Sequence, residues 1–283
     1  MLGFQDFHDK TQIEELCEAL ITFGGKAYPK FNNVIIMAGG AGSGKGFVLS
    51  NLVGAEGYVF DVDALKTLAS KSKLLQDRVK KEFGDDLTQL AANLKKPENV
   101  SRLHEIIDGL GISDRRTKTL YKTVLRAPAD RKPNIIFDVT LKDLRKLENL
   151  SRSVQAIGYD AKDIHIVWVV NDIEVAKKQN KERDRTVPEE ILVNTHRGVS
   201  QTMGDIINMG KGLQRYMDGE IVFAFNAFKI DAELVKSDKG GQYIKKANYT
   251  YIKRRGKKAL SQAELSNDIK AKIRQYTPKG INW

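Results

Sequence analysis

The chain has 283 residues, of which 41% are apolar, and its formal net charge is +11 at pH 7. A chain of this size can bury the core of one α/β domain with extensions, or of two small domains. Because it contains a single cysteine, Cys17, an intrachain disulfide framework is excluded. No apolar run approaches the roughly 18 residues of a membrane span, and the N-terminus lacks the pattern of a secretion signal. We therefore expect a soluble, cytoplasmic protein.

The positive charge is concentrated in the last part of the sequence. Residues 229–283 contain 14 Lys and Arg against 5 Asp and Glu, a net charge of +9, which leaves +2 for residues 1–228. Such an excess of cations is typical of a segment that contacts a polyanion.

Five apolar runs, bounded by turn residues, alternate with longer segments of helical period. They are "NVIIMAGG", "GYVFDVD", "NIIFDVT", "DIHIVWVV" and "EIVFAFNAF". This order predicts a three-layer α/β fold with a mostly parallel, five-stranded sheet. The long interval between the second and third runs predicts a helical insertion over about residues 67–130. We expect an N-terminal helical segment (1–32), a core (33–228) and a basic C-terminal extension (229–283).

A glycine-rich segment between the first strand and the next helix predicts a phosphate-binding loop. Gly39, Gly44 and Lys45 fit the motif G-x-x-x-x-G-K, in which backbone N–H groups and the lysine hold phosphates. The next residue is Gly46, where Ser or Thr normally reaches Mg²⁺. We expect phosphate oxygens, water and a carboxylate elsewhere to hold the metal instead. The predicted nucleotide-binding residues are Gly39, Gly40, Ala41, Gly42, Ser43, Gly44, Lys45 and Gly46.

Carboxylates follow the second and third predicted strands, at the edge where ligands bind in open α/β sheets. Asp61 and Asp63 point to the same face, because side chains alternate along a strand. One of them could accept the proton of an attacking hydroxyl. Asp138 is placed to orient Mg²⁺ or its waters. Alternatively, these aspartates are turn or helix-capping residues.

Two arginines, Arg183 and Arg185, lie on the connection after the fourth strand, before a Val-Pro pair. Guanidinium groups there could close over bound phosphates and stabilise the charge of a transferring phosphoryl group. Alternatively, they belong to an exposed charged surface.

In this order, the segments "GGAGSGKG", "DVDALK", "FDVT" and "ERDRTVPEEIL" resemble the zeta-toxin and polynucleotide-kinase branch of the P-loop kinases over about residues 33–228. The resemblance implies ATP and Mg²⁺ as cofactors and an alcohol group as the phosphate acceptor. It implies Asp63 as general base, Lys66 as acceptor-binding residue, and Arg183 and Arg185 on a lid. Gly46 departs from the family pattern.

The basic extension favours nucleic acid, DNA in particular, as the acceptor. Its segment "GQYIKKANYTYIKRRGKK" interleaves three tyrosines with seven Lys and Arg, which suits phosphate contacts and base stacking. The expected acceptor-binding residues are Asp61, Lys66, Tyr249, Tyr251, Lys253, Arg254 and Arg255. The sequence also resembles viral kinases that phosphorylate 5-hydroxymethyluracil within DNA, which implies a phage enzyme in the host cytoplasm. Another possible acceptor is a polynucleotide 5′-hydroxyl.

Two other interpretations stay open. Zeta-type kinases phosphorylate a nucleotide sugar, and such an acceptor needs no basic extension, which would then be a solvated charged hairpin. The third interpretation is a nucleic-acid-binding ATPase without kinase activity. It ranks last, because "FDVT" lacks the catalytic Glu expected beside Asp138.

Overall fold

The computed structural model describes residues 20–61, 70–182, 186–226, 232–236, 242–247 and 249–283, with the backbone alone for 232–236 and 242–247. Cys17 lies outside the described residues. In chain order the elements are β1 (Val34–Ala38), α1 (Lys45–Val48), β2 (Tyr58–Asp61), α2 (Lys73–Phe83), α3 (Leu87–Ala92), α4 (Pro97–Gly109), α5 (Ile112–Leu125), β3 (Ile135–Val139), α6 (Leu144–Ala156), β4 (Ile164–Asn171), α7 (Ile173–Glu182), α8 (Glu189–Asn208), β5 (Ile221–Asn226), β6 (Ala232–Lys236), β7 (Gln242–Ala247), β8 (Tyr249–Lys253) and α9 (Asn267–Tyr276).

The main sheet has six strands in the order β2-β3-β1-β4-β5-β8, and β6 pairs with β7 in a separate hairpin. Strands β1 to β5 are parallel to one another, which confirms the five predicted strands and the α/β class. Strands β2 and β3 lie on one side of β1, and strands β4 and β5 lie on the other side. The loop that follows β1 therefore lies at the topological switch point, where the carboxyl ends of the strands leave a crevice.

The sixth strand corrects the predicted count of five. Strand β8 pairs antiparallel with β5 and closes that edge of the sheet. Ile252 is buried in the core. The neighbouring Lys253 is buried as well, and its ammonium is paired with the carboxylate of Asp218 at 2.7 Å. A buried lysine of this kind needs a partner charge, which a charge count along the sequence does not reveal.

Two apolar clusters cover the two faces of the sheet. Along β1, Ile36 and its alternate neighbours face a large cluster that includes residues of α6, α8 and α9. Met37 and its alternate neighbour face a smaller cluster with Val48 and Ile21. Because side chains alternate across a strand, β1 is buried on both faces, as expected for the central strand of a three-layer fold.

Helices α2 to α5 form the insertion between β2 and β3, and they have an apolar cluster of their own. Val79, Leu103, Ile106 and Ile107 are fully or almost fully buried in it. The insertion is thus held together partly by its own small core, and α5 joins it to the main core through Val124.

Residues of the predicted C-terminal extension also contribute to the main core. The indole of Trp283 stacks on Trp168 with the ring centroids 5.4 Å apart, and its Nε1 donates a hydrogen bond to Ser200 Oγ. Ile273 of α9 is fully buried in the same cluster. Residues 249–283 are therefore packed against the sheet. No helix in the described part of the chain is long and apolar enough to span a bilayer.

Candidate functional site

Two asparagines at the ends of neighbouring strands hold the loop between β1 and α1. Asn171 Nδ2 donates to the Gly42 carbonyl at 3.0 Å, and Asn226 Nδ2 donates to the Ser43 carbonyl at 2.9 Å. In a trans peptide the C=O and N–H groups point in opposite directions. The Gly44 N–H, which shares a peptide with the Ser43 carbonyl, therefore points away from Asn226.

Only glycine fits at position 44. Its φ is +85°, and a Cβ atom there would lie 2.1 Å from Asn226 Nδ2. Ser43, one residue earlier, is almost fully buried, and its Oγ has no hydrogen-bond partner among the residues that the structure describes. Burying a hydroxyl without a hydrogen-bond partner lowers the stability of the fold. A ligand that accepts a hydrogen bond from this hydroxyl would therefore stabilise the loop.

The ammonium of Lys45 lies between the loop and the end of β3. Its Nζ is 3.0 Å from the Gly39 carbonyl and 3.5 Å from Asp138 Oδ1. The side chain keeps 15% of its surface exposed. The charge is thus anchored, yet it can still reach an anion above the loop.

Asp61 and Asp138 are direct neighbours in the register of β2 and β3. Adjacent strands lie about 4.8 Å apart, so both carboxyl groups meet at the same edge of the sheet. These residues fit Mg²⁺, which needs oxygen ligands and is typically bound through one or two carboxylates, substrate phosphates and water. Within the described residues no three acidic, His or Cys side chains form a metal cluster. Asp138, with Asp61 beside it, would hold such an ion only together with phosphate oxygens, and the ion would neutralise phosphate charge.

Two adjoining cavities open at this edge. The loop cavity, about 700 Å³, lies above the loop between β1 and α1, and the basic cavity, about 620 Å³, lies beside the start of α6. The loop cavity is lined by residues 41–46 and by Gln179, Glu182, Val187, Pro188, Ile191 and Thr195 of the α7 and α8 region. The basic cavity is lined by Lys142, Asp143, Arg145, Lys146 and Asn149. The wall common to both consists of Lys45, Asp61, His104, Asp138 and Thr140.

Helix α8 contacts the backbone of the loop directly. His196 Nε2 lies 2.8 Å from the Ala41 carbonyl, and the Ala41 N–H donates to Thr195 Oγ1 at 3.3 Å. A carbonyl only accepts hydrogen bonds, so Nε2 carries the proton. Burial lowers the pKa of His196 to about 4; the Ala41 hydrogen bond opposes this shift, and the nearby charge of Lys45 adds to it. The imidazole is therefore neutral at physiological pH.

Most of the predicted nucleotide-binding residues line one cavity. Residues 41–46 line the loop cavity. Gly39 and Gly40 instead turn their carbonyls towards the Lys45 ammonium. Gly46 is in the first turn of α1, and a Cβ atom there would meet nothing within 4 Å.

Four predicted residues, Asp63, Lys66, Arg183 and Arg185, lie outside the described residues. The ends of the connection that carries the two arginines are described. Glu182 and Val187, which flank it, both line the loop cavity. The amide of Asn180 bonds both the N–H and the C=O of Val187, at 3.0 and 2.7 Å. The two described ends of this connection therefore lie at the same cavity as the loop between β1 and α1.

The predicted residues of the C-terminal strand are not at the cavities. Lys253 pairs with Ile221 at the amino end of β5, whereas the loop between β1 and α1 lies at the carboxyl ends of the strands. Arg255 forms an ion pair with Asp163, and Arg254 lies over the Tyr251 ring at 3.3 Å.

The two tyrosines of this strand are bound to the N-terminal part of the chain. Tyr249 OH donates to the Leu20 carbonyl at 2.9 Å, and Tyr251 OH accepts from the Thr22 N–H at 2.8 Å. Burial raises the pKa of Tyr249 to about 12. These contacts leave the two hydroxyl groups engaged within the fold.

Several residues of the site were missed by the sequence analysis. Asn171 and Asn226 end their strands as the aspartates do, so the same edge rule could have found them. Ser101 and His104 line the loop cavity from α4 of the insertion, and no local motif marks them. Lys142, Arg145 and Lys146 follow Asp138 closely in the sequence, but their spacing is also that of an ordinary solvent-exposed helix face.

No family model matches the sequence, and no curated protein matches it. Among solved structures, the chain is similar to the AvrRxo1-ORF1:-ORF2 complex crystallised with ATP, with a TM-score of 0.48, 11% identity, and coverage of 98% of this chain and 74% of that one. It is also similar to a structure of the PezAT chromosomal toxin–antitoxin system of Streptococcus pneumoniae, with a TM-score of 0.39, 13% identity, and coverage of 79% and 77%. The fold and site themselves define an α/β protein whose central β1 strand leads into a glycine-rich loop with a lysine.

Proposed function

We propose that the protein is an ATP-dependent phosphotransferase that moves the γ-phosphate to a hydroxyl group of an acceptor in the basic cavity. The observation that carries the proposal is the common wall of the two cavities, where Lys45, Asp61 and Asp138 face both compartments. A phosphoryl group that passes from one bound molecule to the other must cross this wall. Its residues supply the cation and carboxylates that such a transfer requires.

The loop cavity suits the nucleotide. Its volume of about 700 Å³ falls in the usual range for small-molecule sites. Loop N–H groups and the Lys45 ammonium provide positive charge for the phosphates. The apolar Val187, Pro188 and Ile191 form part of the remaining lining and suit a base or ribose.

In the reaction, the acceptor oxygen attacks the γ-phosphorus and the bond to the β,γ-bridging oxygen breaks, so that ADP leaves. The hydroxyl proton passes to a carboxylate. The family resemblance implies Asp63 as this base, and Asp61, two residues earlier in the sequence, is the alternative and lines the common wall. Arg183, Arg185 and Lys66 keep their predicted roles at the phosphoryl group and the acceptor.

The basic cavity suits an acceptor that carries phosphate and has the size of a nucleotide. Lys142 and Lys146 line it, and Asn149 adds an amide that can bond a sugar or base. Arg145 lines it as well, but its guanidinium is bound to Asp143 at 2.9 Å. The two lysines therefore provide the net positive charge. A free phosphorylated metabolite, such as a nucleotide sugar, fits these features.

A hydroxyl within nucleic acid is the second candidate, and the net charge of +9 over residues 229–283 favours it. The internal contacts of Tyr249, Tyr251, Lys253 and Arg255 count against the expected binding surface. In this case a flipped nucleotide or a strand end would enter the basic cavity, since a duplex does not fit a volume of about 620 Å³.

The test is transfer of label from γ-labelled ATP, in the presence of Mg²⁺, to a panel of acceptors. The panel contains nucleotide sugars, mononucleotides, 5′-hydroxyl oligonucleotides, and DNA with 5-hydroxymethyluracil. We expect a free nucleotide derivative to be labelled. If only DNA is labelled, the acceptor is a hydroxyl within nucleic acid and not a free metabolite. If the label appears only in inorganic phosphate, the kinase proposal is refuted.

The acceptor site is tested with the double substitution Lys142→Ala and Lys146→Ala. A hydrogen bond to a charged group contributes about 1.5 to 3 kcal/mol, so the KM for the acceptor should rise by about tenfold to a hundredfold or more, with little change for ATP. Lys162→Ala, an exposed lysine outside both cavities, is the matched control. An unchanged KM for the acceptor in the double variant would place the acceptor elsewhere.

A further inference from the structure

The peptide group between Ala41 and Gly42 is held from one side by α8. His196 Nε2 donates to its carbonyl, with 2.8 Å between the heavy atoms. Because the C=O and N–H of a trans peptide are antiparallel, the Gly42 N–H must point away from His196. Gly42 lines the loop cavity. The orientation of one N–H of the phosphate-binding loop therefore depends on the His196 side chain.

The preceding peptide is fixed by the neighbouring residue of the same helix. Thr195 Oγ1 accepts a hydrogen bond from the Ala41 N–H at 3.3 Å and donates its own proton to the Leu192 carbonyl at 2.7 Å. Helix α8 thus holds both the N–H and the C=O of Ala41. The Ala41 N–H is then occupied and does not turn towards a phosphate, and the Ala41 C=O does not turn towards another donor of the loop.

The imidazole also packs tightly against the loop. A Cβ atom on Gly40 would lie 2.2 Å from His196 Cδ2. The His196 side chain is only 4% exposed. The ring therefore fixes the distance between α8 and the loop, and glycine at position 40 is required by this contact.

We propose that His196 is a positioning residue for ATP: its hydrogen bond to Ala41 and its contact with Gly40 hold the phosphate-binding loop in its anion-binding shape. The inference rests on the proposed ATP site. His196 acts through the loop backbone and takes no part in proton transfer. Helix α8 therefore contributes to the nucleotide site in two ways. His196 holds the loop, and Ile191 and Thr195 line the loop cavity itself.

The test compares His196→Leu, which removes the donor, with His196→Gln, whose amide can still donate to the Ala41 carbonyl. ATP affinity is measured on the full chain by calorimetry, together with kcat and the acceptor KM. We expect His196→Leu to weaken ATP binding at least tenfold and His196→Gln to restore most of it, with the acceptor KM unchanged. Thr202→Val, another buried polar residue of α8, is the control for loss of helix stability. It should leave ATP affinity unchanged.

A double-mutant cycle tests the contact with Gly40. Gly40→Ala should weaken ATP binding in the native background, because its methyl group meets the imidazole. In the background of His196→Ala, the same substitution should have little further effect. If the two changes are additive, the contact does not control the loop and the inference is wrong.

The outcomes separate this inference from the proposed function. If Lys45→Ala leaves ATP affinity unchanged, the ATP site itself is refuted. If Lys45→Ala weakens ATP binding and His196→Leu does not, only the role of His196 is refuted. An equal loss of ATP affinity in His196→Leu and His196→Gln would likewise refute the positioning hydrogen bond.

Discussion

Acidification should destabilise the fold through His196, and the size of the effect can be worked out. The ordinary pKa of this side chain is 6.5, and burial lowers it to about 4 in the folded chain. Between these values the unfolded chain binds more protons than the folded one, so stability falls as the pH drops from 6.5 to 4. A pKa difference of one unit corresponds to about 1.36 kcal/mol, so at pH 4.5, about two units below the ordinary pKa, His196 lowers the free energy of unfolding by about 2 to 3 kcal/mol, and at pH 7.5 by almost nothing.

The assay is urea unfolding of the native chain and of His196→Gln at pH 7.5 and pH 4.5. Between the two pH values, the free energy of unfolding of the native chain should fall by about 2 to 3 kcal/mol more than that of the variant. Buried His165, whose pKa is also lowered by burial, is present in both proteins, so its contribution cancels in the difference. Equal losses in the two proteins would show that His196 is not buried as a neutral ring and would refute the reasoning.

Lys45→Ala should weaken ATP binding by about 10- to 100-fold, as expected for a lost charged hydrogen bond, whereas Asp63→Asn should spare binding and slow transfer by about 10² to 10⁴-fold. Calorimetry and label transfer measure the two effects, and near-full transfer by Asp63→Asn would move the base to another residue. Gly46→Ser should change stability by no more than about 0.5 kcal/mol, since its Cβ meets nothing within 4 Å. Its Mg²⁺ requirement for label transfer should not rise; a higher requirement would argue against an open position. Trp283→Ala should destabilise the fold by about 3 to 5 kcal/mol in urea unfolding, against almost no effect for the exposed Leu260→Ala, and equal effects would exclude a core role for the indole.

The strands and the loop could be predicted because their signals are local. Each parallel strand is buried on both faces and appears as a short apolar run, and the motif around Lys45 is contiguous. Asp61 and Asp138 followed from one rule, that ligands bind at the carboxyl edge of such a sheet. The structure places both at the wall common to the two cavities.

What the sequence did not reveal depends on pairs that are distant along the chain. Strand β8 contains Lys253, whose burial requires Asp218, 35 residues earlier. His104 reaches the site because the insertion folds over the sheet edge, and helical periodicity does not tell which neighbour a helix will cover. His196 looks like an ordinary polar residue in an amphipathic helix until its contact with Ala41 is known.

Packing accounts for the glycines at positions 40 and 44 but does not account for the glycine at position 46. Strand ends and α8 press on the loop from the core side, so a Cβ atom would lie 2.2 Å from a neighbouring side-chain atom at Gly40 and 2.1 Å at Gly44. At Gly46 the chain has already entered α1, and the same atom would meet nothing within 4 Å. Glycine at the first two positions is therefore required by packing, whereas glycine at position 46 is not. The missing hydroxyl therefore affects only how a metal ion would be held and leaves the shape of the loop unchanged, in keeping with the proposal that Asp138, water and phosphate oxygens would hold Mg²⁺.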